Sequence, residues 1–137
     1  MLTLATSGIF AALERADSNH AAAKAVLGCD SEPLIVPTGI LAEVGCLVEA
    51  RLGTGFLDAF MADLEDGSFT VECGLDHLAR ARALVKRYRD MPLGVADALV
   101  IACAERHRGR VLTLDERHFR VVAAEGAIEV VGAGATA

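Results

Sequence analysis

Strand-length apolar runs alternate with stretches of helical periodicity along this chain, and that alternation constrains the fold more than any other feature. Residues 1–5 alternate apolar and polar and then meet Thr6-Ser7, a strand entering a helix cap. A helix is expected to about Arg15, then a second over residues 21–27, capped by Ser18 and ended near Gly28. Residues 34–36 read as a short buried strand between Pro33 and Pro37, and Thr38 as the cap of the helix that follows. In that helix Ile40, Leu41, Val44, Leu47 and Val48 recur at the spacing of one buried face. Gly53 and Gly55 break it, and Phe56, Leu57, Phe60, Met61 and Leu64 form the next stripe, stopped by Gly67. Residues 69–73 read as a strand and residues 76–88 as a basic helix. Residues 95–104 are apolar on nearly all sides, which predicts a buried helix, ended by Gly109. Residues 111–114 and 128–131 are the last strands. Such alternation predicts a parallel sheet of about four or five strands with helices on both faces. At 137 residues it is a single domain, expected over residues 1–131 with a flexible tail at 132–137. Sheets of this kind take ligands at the carboxyl ends of their strands, where the strand order reverses.

Composition narrows the function classes. Apolar residues make up 53% and charged residues 23%, enough to build a core and exclude wholesale disorder. A net charge of −6 excludes an overall basic nucleic-acid binder, and 4% aromatics with no Trp exclude a base-stacking platform. The charge is uneven, however. Residues 77–120 hold ten of the thirteen Lys and Arg against five acids, so that segment is +5 and the remainder −11. It reads either as solvated helix faces or as a phosphate-contacting surface. The longest uncharged run, residues 1–13, is short of the ~18–20 residues a spanning helix needs and lacks a basic leader. Cys29, Cys46, Cys73 and Cys103 are widely spaced, and Cys46 and Cys103 sit in apolar helical runs, where Cys packs as a small hydrophobe. Free thiols in the cytoplasm are expected, with neither a disulfide framework nor a zinc site.

Three carboxylates stand in apolar surroundings: Glu43 within residues 40–48, Asp97 within residues 95–101, and Asp115 at the end of Leu112-Thr113-Leu114. Any one of them could be a cap or turn acid, and Asp97 suits the first turn of its helix. Glu43 falls inside its helix and is harder to explain that way. A lone buried carboxylate is costly, so such groups are paired, protonated or bound to a metal. All three fall near strand carboxyl ends, which converge on one edge of a doubly wound sheet. Carboxylates gathered there repel unless a cation joins them, and hard oxygen ligands suit Mg2+ or Mn2+. Leu2-Thr3-Leu4-Ala5 and Leu112-Thr113-Leu114-Asp115 match except at the last residue. If the two strands lie side by side and end alike, position 5 faces Asp115.

Four blocks in order carry a family resemblance: Leu4-Ala5-Thr6-Ser7, Val36-Pro37 with Leu41-Ala42-Glu43-Val44, residues 88–98 from Tyr88-Arg89-Asp90 to Asp97-Ala98, and residues 112–119 with Asp115, Arg117 and His118. Together they resemble the PIN-domain ribonucleases, specifically the VapC-type toxins of bacterial toxin–antitoxin pairs, over nearly the whole chain. The resemblance implies a PIN-like α/β/α sandwich and cleavage of RNA with Mg2+ or Mn2+. It makes Glu43, Asp97 and Asp115 the acidic metal ligands and Thr6 and Thr113 polar neighbours that orient ligands or water. It also implies a VapB-type antitoxin as partner, a homodimer, and a second use for the stripe at Phe56–Leu64 as part of an antitoxin groove. Arg117, His118 and Arg120 then become phosphate contacts beside the pocket, or else a solvated turn.

The departure is at Ala5, where the family carries its first Asp. Alanine cannot ligate a metal, so weaker metal binding and impaired cleavage are expected. Intact Glu43, Asp97 and Asp115 favour a deliberate Asp→Ala variant of an active toxin over a naturally inactive paralogue. The other reading of function is a catalytically dead module that still docks an antitoxin or RNA. A phospho-acceptor receiver domain also clusters acids at a sheet edge, but it wants an acid pair after the first strand and a late Lys, and the last Lys here is Lys86.

Overall fold

The structure, a computed structural model, describes residues 1–29 and 33–131. The tail expected at 132–137 lies outside the described residues. The strands are β1 (Leu2–Leu4), β2 (Leu34–Pro37), β3 (Thr70–Glu72), β4 (Arg110–Leu112) and β5 (Glu129–Val131). The helices are α1 (Thr6–Leu13), α2 (His20–Cys29), α3 (Leu41–Leu52), α4 (Thr54–Glu65), α5 (Leu78–Arg87), α6 (Val95–Arg106) and α7 (Glu116–Ala123). The five strands form one sheet in the order β3-β2-β1-β4-β5, every pairing parallel. The chain runs outward from β1 to β3 on one side, then returns across the sheet to β4 and β5. Crossovers between parallel strands are right-handed as a rule, which assigns α1 to α4 to one face and α5 to α7 to the other; α1 packs on α3, α3 on α4, and α5 on α6, in an α/β/α sandwich as expected.

Burial explains the short strands. Leu2, Leu4, Ile35, Val36, Val111 and Leu112 are at most 1% exposed, as befits a parallel sheet covered on both faces. Ile9, Val44, Val48, Phe60, Leu84, Ile101 and Phe119 close the core from the helices. Helix α6 lies across β1, β2 and β4 and is backed by α5. Its Ala98, Val100, Ile101, Ala102, Cys103 and Ala104 are buried, but Val95 at its start is 64% exposed. Helix α1 approaches β4 so closely that a Cβ on Gly8 would stand 2.6 Å from the Leu112 carbonyl oxygen.

Several local expectations give way. Thr6 and Ser7 do not cap α1; Ala5 holds the cap position and the two hydroxyls point elsewhere. Thr38 opens a 3-10 turn (Thr38–Ile40), and its hydroxyl donates to the Glu72 carbonyl at 3.0 Å, tying β2 to β3. The second helix begins at His20 rather than after Ser18, with the Asp17 carboxylate accepting the Asn19 N–H at 2.8 Å. Gly53, at φ +91°, separates α3 from α4, but Gly55 lies inside α4. Arg117, His118 and Arg120, for which a solvated turn is one reading, lie on α7. The reading of free thiols is also corrected: Cys73 and Cys103 are disulfide-bonded, Cα to Cα 5.5 Å, linking the end of β3 to α6. They are thirty residues apart, so only the tertiary fold brings them together. Cys46 is free and exposed, not buried. No helix among the described residues is long and apolar enough to cross a membrane.

Candidate active site

The sheet reverses its strand order at β1, where β2 lies on one side and β4 on the other. That is where a doubly wound sheet opens a crevice. A cleft of about 250 Å³ at this edge is lined by Ala5, Thr6, Glu43, Asp97, Thr113 and Asp115, together with Ser7 and Leu47. Each side chain arrives from a junction after a strand or from an early helical turn. Ala5 ends β1 and caps α1, Glu43 lies in the first turn of α3, Asp97 in the first turn of α6, and Asp115 caps α7. The register differs from the one the matched tetrapeptides suggest. Leu4 pairs with Leu112, so Ala5 lies level with Thr113, and Asp115 stands two residues beyond. Both nevertheless line the same cleft.

Hydroxyl groups organise the floor. Thr6, the first residue of α1 and so beyond its cap position, donates to Glu43 Oε1 at 2.5 Å. Ser7 Oγ accepts the Leu114 N–H at 2.9 Å and lies 3.3 Å from Thr113 Oγ1. Fully buried Thr113 accepts the Asp115 N–H at 3.2 Å. Together they hold the turn that presents Asp115. Ser7 is a site residue that the sequence reading treats only as a cap; its place directly after Thr6 on the first block was the available signal.

Electrostatics single out Asp97. Burial pushes its carboxyl above the usual carboxylate range. The nearby His118 imidazole opposes the shift, while the Asp115 and Glu43 charges add to it. The cleft thus gathers negative charge that the protein only partly compensates. One ligand-capable atom from each of Asp97, Asp115 and His118 falls within 4.8 Å of the others. This anionic, oxygen-rich donor set fits a divalent cation.

His118 does not sit with Arg117 and Arg120. On α7, Phe119 and Val122 face the core while Arg117 and Arg120 are exposed. His118 is half-buried, with Nδ1 3.6 Å from Asp97 Oδ2. Elsewhere in the basic segment, Arg80 makes a bidentate pair with Glu105 at 2.8 and 2.9 Å, and Arg87 pairs with Glu125 at 2.9 Å. Part of the basic excess is therefore a set of structural ion pairs rather than open phosphate contacts.

Fold, strand order and cleft define a doubly wound α/β class with an acidic cleft at its switch point, and the PIN domain family model matches residues 4–125. The chain belongs to the PIN-domain family. It is 34% identical over 116 residues to ribonuclease VapC26 of Mycobacterium tuberculosis, covering 83% of this chain and 86% of that protein. Its fold is similar to that of Mycobacterium tuberculosis VapC20, a toxin that cleaves the sarcin–ricin loop, with a TM-score of 0.76, 22% identity, and 92% and 95% of the two chains covered. It is also similar to a chain of a toxin–antitoxin complex from Klebsiella pneumoniae, with a TM-score of 0.72, 19% identity, and 97% and 98% covered.

Proposed function

We propose that this protein is a VapC-type endoribonuclease toxin of a toxin–antitoxin pair, that its cleft binds Mg2+ or Mn2+, and that Ala5 leaves it strongly impaired. The observation that carries this reading is the convergence of Glu43, Asp97 and Asp115 in one cleft at the sheet's switch point, with Ala5 on the same wall. Asp97 and Asp115 would hold the cation. A bound divalent ion acidifies a water molecule and offsets charge developing on a phosphodiester. Thr6 keeps the Glu43 carboxylate turned to the cleft, and Ser7 and Thr113 hold the Asp115 turn, so that the acids are positioned before substrate arrives. Exposed Arg117 and Arg120 on the adjoining helix suit phosphate contacts that position RNA. An apolar groove between α3 and α4, lined by Leu41, Leu57, Phe60, Met61 and Leu64, suits an antitoxin segment. Met61 is 57% exposed there and Phe56 beside it 46%, more than a purely core stripe would leave open. The cytoplasm and a homodimer accord with this function.

Ala5 favours the second reading, a PIN-like module that docks an antitoxin or RNA without cutting. The two separate in one experiment. Ala5→Asp protein incubated with total RNA and Mg2+ should cleave at least 100-fold faster than the present chain, because metal ligands and their supports act as a unit. Chelation should abolish the cleavage. If Ala5→Asp gives no metal-dependent cleavage while antitoxin binding persists, the binding-module reading replaces the nuclease.

A further inference from the structure

We infer that His118 is a nitrogen ligand of the cation in this chain, adding an imidazole to a site that lacks a carboxylate at position 5, and that the site consequently prefers Mn2+ to Mg2+. The inference rests on the cation-binding cleft proposed above. With Ala5 contributing no donor, the cleft offers only a few groups that can meet at one point. Asp97, Asp115 and His118 do so, their ligand atoms lying within 4.8 Å of one another. Glu43 is not in that group, and its Oε1 is taken by the Thr6 hydroxyl.

The imidazole has the position and the vacancy for the task. Its Nδ1 is buried and has no hydrogen-bond partner among the described residues. The nearest acid, Asp97 Oδ2, stands at 3.6 Å, close enough for an ion pair but too far for a hydrogen bond. A ring nitrogen buried without a partner is costly unless something accepts its lone pair or its proton. A cation between the two carboxylates would do so. The placement follows from α7. Asp115 is its cap and His118 its third residue, and groups three apart share one side of a helical turn. Phe119, fully buried, anchors the turn of α7 that sets half-buried His118 beside Asp97 and Asp115. Lacking that carboxylate, the site has one negative charge fewer, and the neutral imidazole adds a softer donor. Mg2+ depends on hard anionic oxygen, whereas first-row transition ions accept imidazole readily and bind more tightly along the series from Mn2+ onward.

The test reads the metal rather than cleavage. The present chain is loaded with Mn2+ and examined by electron spin-echo spectroscopy, which detects nitrogen nuclei bonded to the ion. Imidazole nitrogen modulation is expected, and it should vanish in His118→Gln and His118→Ala. In calorimetric titrations His118→Ala should weaken Mn2+ by at least ~10-fold, with a smaller loss for Mg2+, and Ala5→Asp added to that variant should regain Mg2+ binding. Circular dichroism verifies that each variant is folded. Mn2+ bound without nitrogen modulation, or with unchanged affinity in folded His118→Ala, overturns this inference and leaves the cation cleft standing. If the present chain and Ala5→Asp both bind no ion, the cleft reading fails and this one with it.

Discussion

Asp97 shows most directly how one residue couples stability to the proposed chemistry. Its carboxyl is held above the usual carboxylate range, first by burial and then by the neighbouring Asp115 and Glu43 charges. For an acid shifted upward, the fold favours the neutral form. Its stabilising contribution is full below the ordinary carboxylate pKa and is lost as pH rises through the raised one. Asp97→Asn should therefore raise the melting temperature of the metal-free protein at neutral pH, and the gain should fade on acidification below the carboxylate range. Melts in chelator across that range measure it; an unchanged or lowered midpoint at neutral pH contradicts the account. Thr3 offers a second case. It is fully buried on β1, and its hydroxyl has no partner among the described residues. Thr3→Val keeps the shape and removes the orphaned group, and should stabilise the protein by about 1 kcal/mol in urea denaturation. The acids themselves were legible in the sequence, because an ionisable group in an apolar run needs a reason. The tie between Thr6 and Glu43 was not, since the two are thirty-seven residues apart.

Among the elements, α1 is the one whose seating most directly shapes the cleft. It carries Thr6 and Ser7 and presses against β4 through Gly8. Gly8→Ala would drive a methyl into the Leu112 carbonyl, which is backbone and cannot yield cheaply. We expect a loss of about 1–3 kcal/mol in stability and a weaker cation affinity, because the Ser7 contact to Leu114 shifts with the helix. Unchanged stability would mean the helix finds another seating. Helix and strand identity was largely readable from periodicity, notably for α3, whose Val44 and Val48 are buried as the stripe requires. Helix α7 is harder to read, because its eight residues hold only a short stripe, Phe119, Val122 and Ala123, amid charged neighbours. Caps misled because the helical turns begin one residue earlier, at cap positions Ala5 and Pro37, while the hydroxyls of Thr6 and Thr38 donate to acceptors on other elements.

On the scale of the molecule, a disulfide and ion pairs add cross-links to layers that the buried core holds together. Cys73–Cys103 fastens the β3 end to α6, the helix that carries Asp97. Closing a thirty-residue segment restricts the unfolded chain, and reduction should cost about 3–4 kcal/mol by the loop-entropy relation. Denaturation with and without a dithiol reductant checks this, and coincident transitions would refute it. Glu125 draws Arg87 at 2.9 Å and the Tyr88 hydroxyl at 2.5 Å, joining the end of α5 to the segment after α7. The alternation of strand-length and helix-length apolar runs by itself determined a parallel α/β sandwich and named the acids that line its edge, because burial periodicity and misplaced charge are local properties. Only the tertiary structure decided the strand order, the register that sets Ala5 level with Thr113, the Cys73–Cys103 bond and the approach of His118 to Asp97 and Asp115. Each of these joins residues far apart in the chain or turns one side chain between two faces, and the packing of the whole core selects among such arrangements.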